Sequence, residues 1–416
     1  MIDPLSLRNH CNEYGLNECV ELLKEWINHS NNPVMRKTAL QYLGEIDHGT
    51  QYNFLEGLFL SDENIDLALQ SGYILRKYTH YEDSFINLLS YVLKRSESIQ
   101  KKIFALEALN LIPNINTRIF LSEYLKNLIP ATSPNHQGSQ HTKNGNITEH
   151  FSGWYSRDII DGTIDYLLYY YYSNCCGYKV GFKHQRINSL DCEAAELKSI
   201  NEITEFHRLA NLEKLSLKHN KISQISHLNH LKNLKFLDLS HNQIKKIENL
   251  DKLKNLNKLN LSHNCIHIIE NLDSLSNLAV LSLAHNLIHQ ICNLHPLSEL
   301  KKLDLSFNKI EKVCGFRNLN KLITLILSSN HIHTIEGLKP LQNLKELYLN
   351  NNEITHLKGI ISLSKLVGLF LSHNKIQKVG FRERNVLNNM HYLSLTDNSL
   401  TSQSYKWYRK KIEKPF

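Results

Sequence analysis

Five histidines, His219, His241, His263, His285 and His373, each stand directly before an asparagine, and the first four recur at a fixed interval of 22 residues. Imidazole titrates closest to neutral pH and is a common metal ligand, so a regular set of histidines is a candidate for chemistry. A metal ion needs ligands that converge on it. Residues repeated along a ridge at strand spacing, roughly 4.8 Å apart, do not converge. The pattern therefore predicts a structural or solvated column rather than a metal centre. Below about pH 6.5 such a column becomes cationic and attracts phosphate or carboxylate. No other constellation in the sequence suggests catalysis, because G-x-x-x-x-G-K-[ST], H-E-x-x-H, G-x-S-x-G and G-x-G-x-x-G do not occur.

The asparagine after each histidine sets the line. Asparagine recurs at 220, 242, 264, 286, 308, 330, 352 and 374, every interval being 22 residues. Each copy repeats the frame Leu212-x-x-Leu215-x-Leu217-x-x-Asn220-x-Ile222-x-x-Ile225-x-x-Leu228-x-x-Leu231. Leu215 and Leu217, two apart, share one face of a short strand. Ile222, Ile225, Leu228 and Leu231 follow at three-residue steps, which suits a turn and a tight 3₁₀-like return. A unit this short cannot bury its own apolar side. Stacked copies bury it in one continuous core, at roughly 1.5–3 kcal/mol per aliphatic side chain, most of it offset by chain entropy. The asparagine turns the chain out of the strand, and its amide both donates and accepts, so a column of asparagines ties neighbouring backbones together. These asparagines are structural.

A period held over eight copies reads as a leucine-rich-repeat solenoid. The 22-residue frame resembles the leucine-rich-repeat subfamily that includes the regulatory subunit of type-1 protein phosphatase, over residues 186–416. The resemblance implies a parallel sheet lining a concave face, a protein partner, and phosphatase regulation as one version of that role. Members that bind the phosphatase use acidic and aromatic residues on that face. Here the acids are only Asp238, Asp304 and Glu346. The first copy is worn: Leu190-x-Cys192 and Leu197-x-x-Ile200 keep the frame, but Ala195 replaces the asparagine. The last copy, Leu393-x-Leu395-x-x-Asn398-x-Leu400, follows a 24-residue step, and YKWYRKKI over 405–412 resembles the helical cap of the subfamily.

On the strands, residues flanking the core leucines point outward. The first half of that face is mostly Lys, Ser, Asp and Asn. The second half gathers Phe307, Ile326, Tyr348, Phe370 and Tyr392, which are expected to neighbour one another across adjacent strands. Clustered exposed aromatics mark binding surfaces, so these five are the expected partner-binding residues.

Ahead of the solenoid, residues 1–129 read as helices. Leu16, Val20, Leu23 and Ile27 have helical spacing, and Asn32-Pro33 is a helix start. Further segments follow Asp62 and Ser98. Their spacing, with small Ala39 and Ala105, resembles HEAT-type helical hairpins, with a general helical bundle as the alternative. Residues 130–150, rich in Ser, Thr, Asn, Gln, Gly and His, read as a flexible linker. Residues 151–185 are left open between a helix and a β-hairpin, and the tyrosines of IDYLLYYYY over 164–172 read as a packed cap. Asp161-Gly162-Thr163 resembles the nucleophile loop of haloacid-dehalogenase-like phosphatases, but Ile159 stands where that loop needs an aspartate. The expected class is thus α+β: an all-helical domain followed by a solenoid with a parallel concave sheet.

Charge is uneven. Residues 1–129 carry 12 basic and 16 acidic side chains, whereas 186–416 carry 32 and 20. Such asymmetry suits two different partners or mutual attraction. Eight cysteines without a C-x-x-C pair, no apolar run of membrane length and no secretory start at Met1-Ile2-Asp3-Pro4 point to a reducing compartment, cytoplasmic or nuclear. The sequence therefore predicts a non-enzymatic scaffold for a protein partner, with no cofactor, metal, small-molecule substrate or membrane. RNA binding by the basic solenoid is the alternative, although Lys245, Lys246, Lys309 and Lys312 fall outside the strands.

Overall fold

Helices form in the first part of the chain where apolar residues recur at helical spacing. The computed structural model describes residues 3–7, 15–46, 50–128, 157–184 and 186–413. Its first helices are α1 (Leu16–His29), α2 (Pro33–Ile46), α3 (Tyr52–Ser61), α4 (Ile65–Leu75), α5 (Glu82–Arg95), α6 (Ile99–Leu111) and α7 (Ile115–Leu128). Of the four residues that predict α1, Val20, Leu23 and Ile27 are buried, and Leu16 at the first position is exposed. Helices pair as α1 with α2, α3 with α4 and α5 with α6, while α2 packs on α4 and α4 on α6.

The turn inside each pair is built the same way. The amides of Ser30, Asp62 and Ser96 each close the preceding helix onto Trp26, Leu58 and Val92 carbonyls. The side chains of those same residues accept from the amides of Asn32, Asn64 and Ser98, at 3.2, 2.8 and 3.1 Å. Asn32, Asn64 and Ser98 then cap the next helix, accepting from Val34, Leu67 and Lys101 amides among others. Buried Lys101 donates to the Leu60 carbonyl at 2.9 Å, and burial holds its pKa below the usual lysine value. Arg36 pairs with Asp62 at 2.6 Å. Lys101 thereby satisfies a carbonyl at the end of α3, and Arg36 Nε does the same for the Ile27 carbonyl at the end of α1.

The chain divides into two units, Met1–Tyr171 and Tyr172–Phe416. The boundary falls within 151–185, and the linker expected over 130–150 lies outside the described residues. The open segment contains both alternatives: α8 (Arg157–Tyr170) packs on α6 in the first unit, and a hairpin strand follows in the second. The second unit opens with β1 (Lys179–Lys183) antiparallel to β2 (Arg186–Asp191), so the sheet starts ahead of residue 186. Among the tyrosines, Tyr172 is fully buried and its hydroxyl donates to the Thr204 carbonyl.

Nine three-residue strands continue the sheet in strict sequence and in parallel: β3 (Lys214–Ser216), β4 (Phe236–Asp238), β5 (Lys258–Asn260), β6 (Val280–Ser282), β7 (Lys302–Asp304), β8 (Thr324–Ile326), β9 (Glu346–Tyr348), β10 (Gly368–Phe370) and β11 (Tyr392–Ser394). The central leucine of each strand pairs with its counterpart on the next, Leu215 with Leu237 and so on to Leu393. The frame leucines and isoleucines behind them, such as Leu281, Leu283, Ile288 and Leu294, are fully buried.

The frame asparagines carry the hydrogen bonds between turns. Asn286 Nδ2 donates to the carbonyls of Leu261, Leu283 and Ala284 at 2.9, 3.1 and 3.2 Å, and its Oδ1 accepts from the Ile266 amide at 2.9 Å. A second column lies elsewhere on each turn. Asn249, Asn271 and Asn293 have positive φ and donate to the Ile225, Ile247 and Ile269 carbonyls. Gly315 and Gly337 take over at φ of 82 and 93°, where a Cβ would lie 2.3 Å from the preceding turn's carbonyl oxygen. Here only glycine fits without displacement.

The last turns close with helices. α9 (Phe381–Leu387) occupies the lengthened step, and α10 (Ser402–Ile412) follows β11. The Tyr408 hydroxyl of α10 accepts from the Leu395 amide at 3.0 Å, and Ser404 Oγ accepts from the Val379 amide at 3.1 Å. Side chains thus stand in for the carbonyls that another turn would supply.

Candidate partner-binding face of the solenoid

In β3–β10 the central leucine is buried, in the last strand, β11, it is half-buried, and the flanking residues point to the opposite, open face, as the two-residue period requires. The residue after the leucine is Ile326 on β8, Tyr348 on β9 and Phe370 on β10. Strand register sets Ile326 beside Tyr348 and Tyr348 beside Phe370. The Tyr348 and Phe370 rings stack with centroids 4.5 Å apart and planes 6° from parallel. All three side chains are half-buried, leaving ring and methyl surface open. Burial, with the Glu346 carboxylate alongside, raises the Tyr348 phenol above its usual pKa, so it is a neutral ring at physiological pH. Thr324 Oγ1 donates to Glu346 Oε2 at 3.1 Å and occupies that carboxylate.

Gly368 makes room for the row. A Cβ there would sit 3.3 Å from the edge of the Phe370 ring. The neighbour of Gly368 across the strands is Tyr392 of β11, 65% exposed. Tyr392 is therefore diagonal to Phe370, one position off the row.

Phe307 stands apart from the other four expected residues. It lies beyond β7, at the position directly before the frame asparagine, where φ is 53°. The left-handed residue takes the chain off the strand face, which corrects the expected neighbourhood of the five. Phe307 instead ends the histidine column. His219, His241, His263, His285 and Phe307 stack face to face, with centroids 4.0, 3.9, 4.0 and 4.0 Å apart and planes 27, 12, 12 and 10° from parallel. The sequence shows the column. The 22-residue interval also places Phe307 one step after His285, but it does not show that the rings touch. The shared left-handed φ at all five positions, 52–56°, is what aligns them. His373 lies further along and faces Asp397 at 3.3 Å.

Parallel rings direct their nitrogens in parallel, so stacked neighbours do not share an ion. Among the described residues no three His, Cys, Asp or Glu side chains are grouped to hold a metal. Burial pushes the Cys192 thiol pKa up, away from a reactive thiolate. Among the described residues no helix is long and apolar enough to cross a membrane.

Known proteins match the same part of the chain. A family model described as leucine-rich repeats (2 copies) matches residues 210–252 and 232–277, and one described as leucine rich repeat matches 298–354. No curated protein sequence matches the chain. Among solved structures, internalin C2 of Listeria monocytogenes is 32% identical over 43% of this chain and 78% of its own, with a TM-score of 0.41. The ectodomain of the Arabidopsis thaliana receptor kinase GASSHO1/SCHENGEN3, solved with Casparian strip integrity factor 2, is 26% identical over 55% of this chain and 29% of its own, with a TM-score of 0.46. The family models place leucine-rich repeats at 210–277 and 298–354, and the parallel-sheet turns of the second unit have that architecture throughout.

Proposed function

We propose that this protein is a non-catalytic interaction scaffold, and that its solenoid holds a protein partner on the open face of β8–β11. The observation that carries this reading is the half-exposed row Ile326, Tyr348 and Phe370, with its two rings stacked at 4.5 Å and Tyr392 exposed beside it. Rigid aromatic side chains give a partner large contact area at little cost in side-chain entropy, and such clusters dominate interface energies. The helical unit, read as HEAT-like from its repeated turns, serves as a second docking element. Regulation of a phosphatase or of another signalling protein is one concrete form of this role, prompted by the repeat length.

The test is affinity capture from native cell extract with the wild type, Tyr348→Ala/Phe370→Ala and the conservative Tyr348→Phe/Phe370→Tyr, after circular dichroism shows all three equally folded. A protein lost with the alanines and regained with the swapped aromatics identifies the partner, with an expected loss of roughly 2 kcal/mol or more in a purified binding assay. An unchanged set of captured proteins would remove the row as the site. Recovery of RNA with a steep salt dependence would favour nucleic-acid binding instead.

A further inference from the structure

The ring column forms a second organised surface, separate from the aromatic row. Its four imidazoles stack in an unbroken series ended by Phe307. Neighbouring faces cover each other, so the ring edges, which carry the nitrogens, form the exposed ridge. Neutral rings stack without penalty, whereas each added proton lies about 4 Å from the next ring and opposes further protonation. Burial and then neighbouring positive charge hold His241 and His263 below the usual imidazole pKa. The charged groups facing the column are Lys218, Asp238 and Glu193, and Lys218 pairs with Glu193 at 3.1 Å. Adjacent rows add the Lys221–Glu196 pair, Cys265, Asp304 and Lys309.

A second cationic track runs parallel to the ridge at the opposite end of the strands. Lys214, Lys258 and Lys302 are exposed on β3, β5 and β7, and no ion pair among the described residues includes them. They alternate with half-buried Phe236 and Val280, so they recur every second strand, roughly 9.6 Å apart. The floor between the tracks is small and polar, and its two acids accept hydrogen bonds from neighbouring side chains. Asp238 accepts from Ser240 Oγ at 2.6 Å and Asn260 Nδ2 at 3.1 Å, and Asp304 accepts from Ser306 Oγ at 2.7 Å.

We infer that the histidine ridge and the lysine track together dock an acidic, carboxylate-rich segment of a partner protein, laid across β3–β7, and that the grip tightens on acidification. Charge complementarity selects the occupant: three lysines outside any ion pair among the described residues on one side, protonatable imidazoles on the other, and on the floor only Asp238 and Asp304, each already hydrogen-bonded by its neighbours. A nucleic-acid strand fits less well. The flat faces on which bases would stack are taken by neighbouring rings, and these rows contain no arginine to grip phosphate with a bidentate fork. In an extended chain, acids three residues apart are spaced by roughly 10 Å, which matches the lysine interval.

The experiment measures fluorescence anisotropy of a labelled peptide of four Glu-Ser-Gly units against the full chain, at constant ionic strength. Binding at about pH 5.5 is expected to be about tenfold tighter than at about pH 7.5, where the glutamates are ionised in both cases. His241→Asn/His263→Asn keeps residues that tolerate a left-handed backbone, and it should reduce that ratio to about twofold or less. Lys258→Gln/Lys302→Gln should weaken binding at both pH values and keep the ratio. Tyr348→Ala/Phe370→Ala should change neither, which separates this surface from the aromatic row. Because linkage is reciprocal, saturating peptide must also raise the column's pKa values in an NMR titration of the histidine ring protons of the wild type. An unmoved titration, equal binding of a Gln-Ser-Gly peptide, or tighter binding of a twelve-nucleotide oligouridylate would each overturn the inference.

Discussion

At the scale of single residues, the same side chain does different work according to its place in the 22-residue frame. The frame asparagine, two residues before the frame isoleucine, is a backbone substitute: Asn286 alone holds three carbonyls and one amide. Replacing it with alanine leaves those groups unsatisfied in a dry core and should cost about 1–3 kcal/mol, read as a lower urea midpoint than that of exposed Lys312→Ala. Histidine one position earlier is a surface residue with a titration of its own. Burial holds the pKa of His230, His241 and His263 below the ordinary value. Such a base binds fewer protons folded than unfolded between its lowered pKa and about 6.5, so stability is full above that window and falls as pH drops through it. The thermal midpoint should therefore decline from about pH 7.5 to about pH 5.5, and less so in His241→Asn/His263→Asn. Glu193, Glu213 and Glu353 have pKa values lowered by lysine partners, so their loss of stability comes at lower pH, through and below the usual carboxylate range, and is separable. The row Ile326, Tyr348 and Phe370 was legible because alternation along a strand is rigid. Phe307 was misplaced because its aromatic type was read ahead of its frame position, one 22-residue step after His285, where the backbone is left-handed.

At the scale of elements, register followed from the period: each strand's leucine could pair only with the leucine one frame on. The asparagine column at 249, 271 and 293 has the same period, but it sits beside leucines that dominate the pattern, so its hydrogen-bonding role was not evident. The helix against hairpin ambiguity over 151–185 had a physical origin too. Apolar and aromatic runs suit either state, and the chain stays helical through a π-helical turn, Tyr171–Cys175, before Gly177 at φ 69° leads it into β1. The terminal helix α10 has a testable energetic role. Tyr408→Phe removes the acceptor of the Leu395 amide and should cost about 1–2 kcal/mol, with hydrogen exchange accelerating first in β11 and β10 while β5 and β6 remain protected. Uniform acceleration along the sheet would show instead that the turns open together.

At the scale of the whole molecule, the sequence divided its charge between two units built on different periods, one of hairpins and one of turns. The uniform step of the second unit has a further consequence. Distances along it come in whole numbers of rungs, each roughly 4.8 Å. The histidine ridge occupies the rungs of β3–β6 and the aromatic row those of β8–β10, leaving only the rung of β7 between them. Each frame asparagine meets its neighbours through the same bonds, so inserting or deleting 22 residues at that rung would conserve the backbone pattern and change only the interval. The solenoid is a ruler graduated in turns, and a partner gripping ridge and row together would measure it.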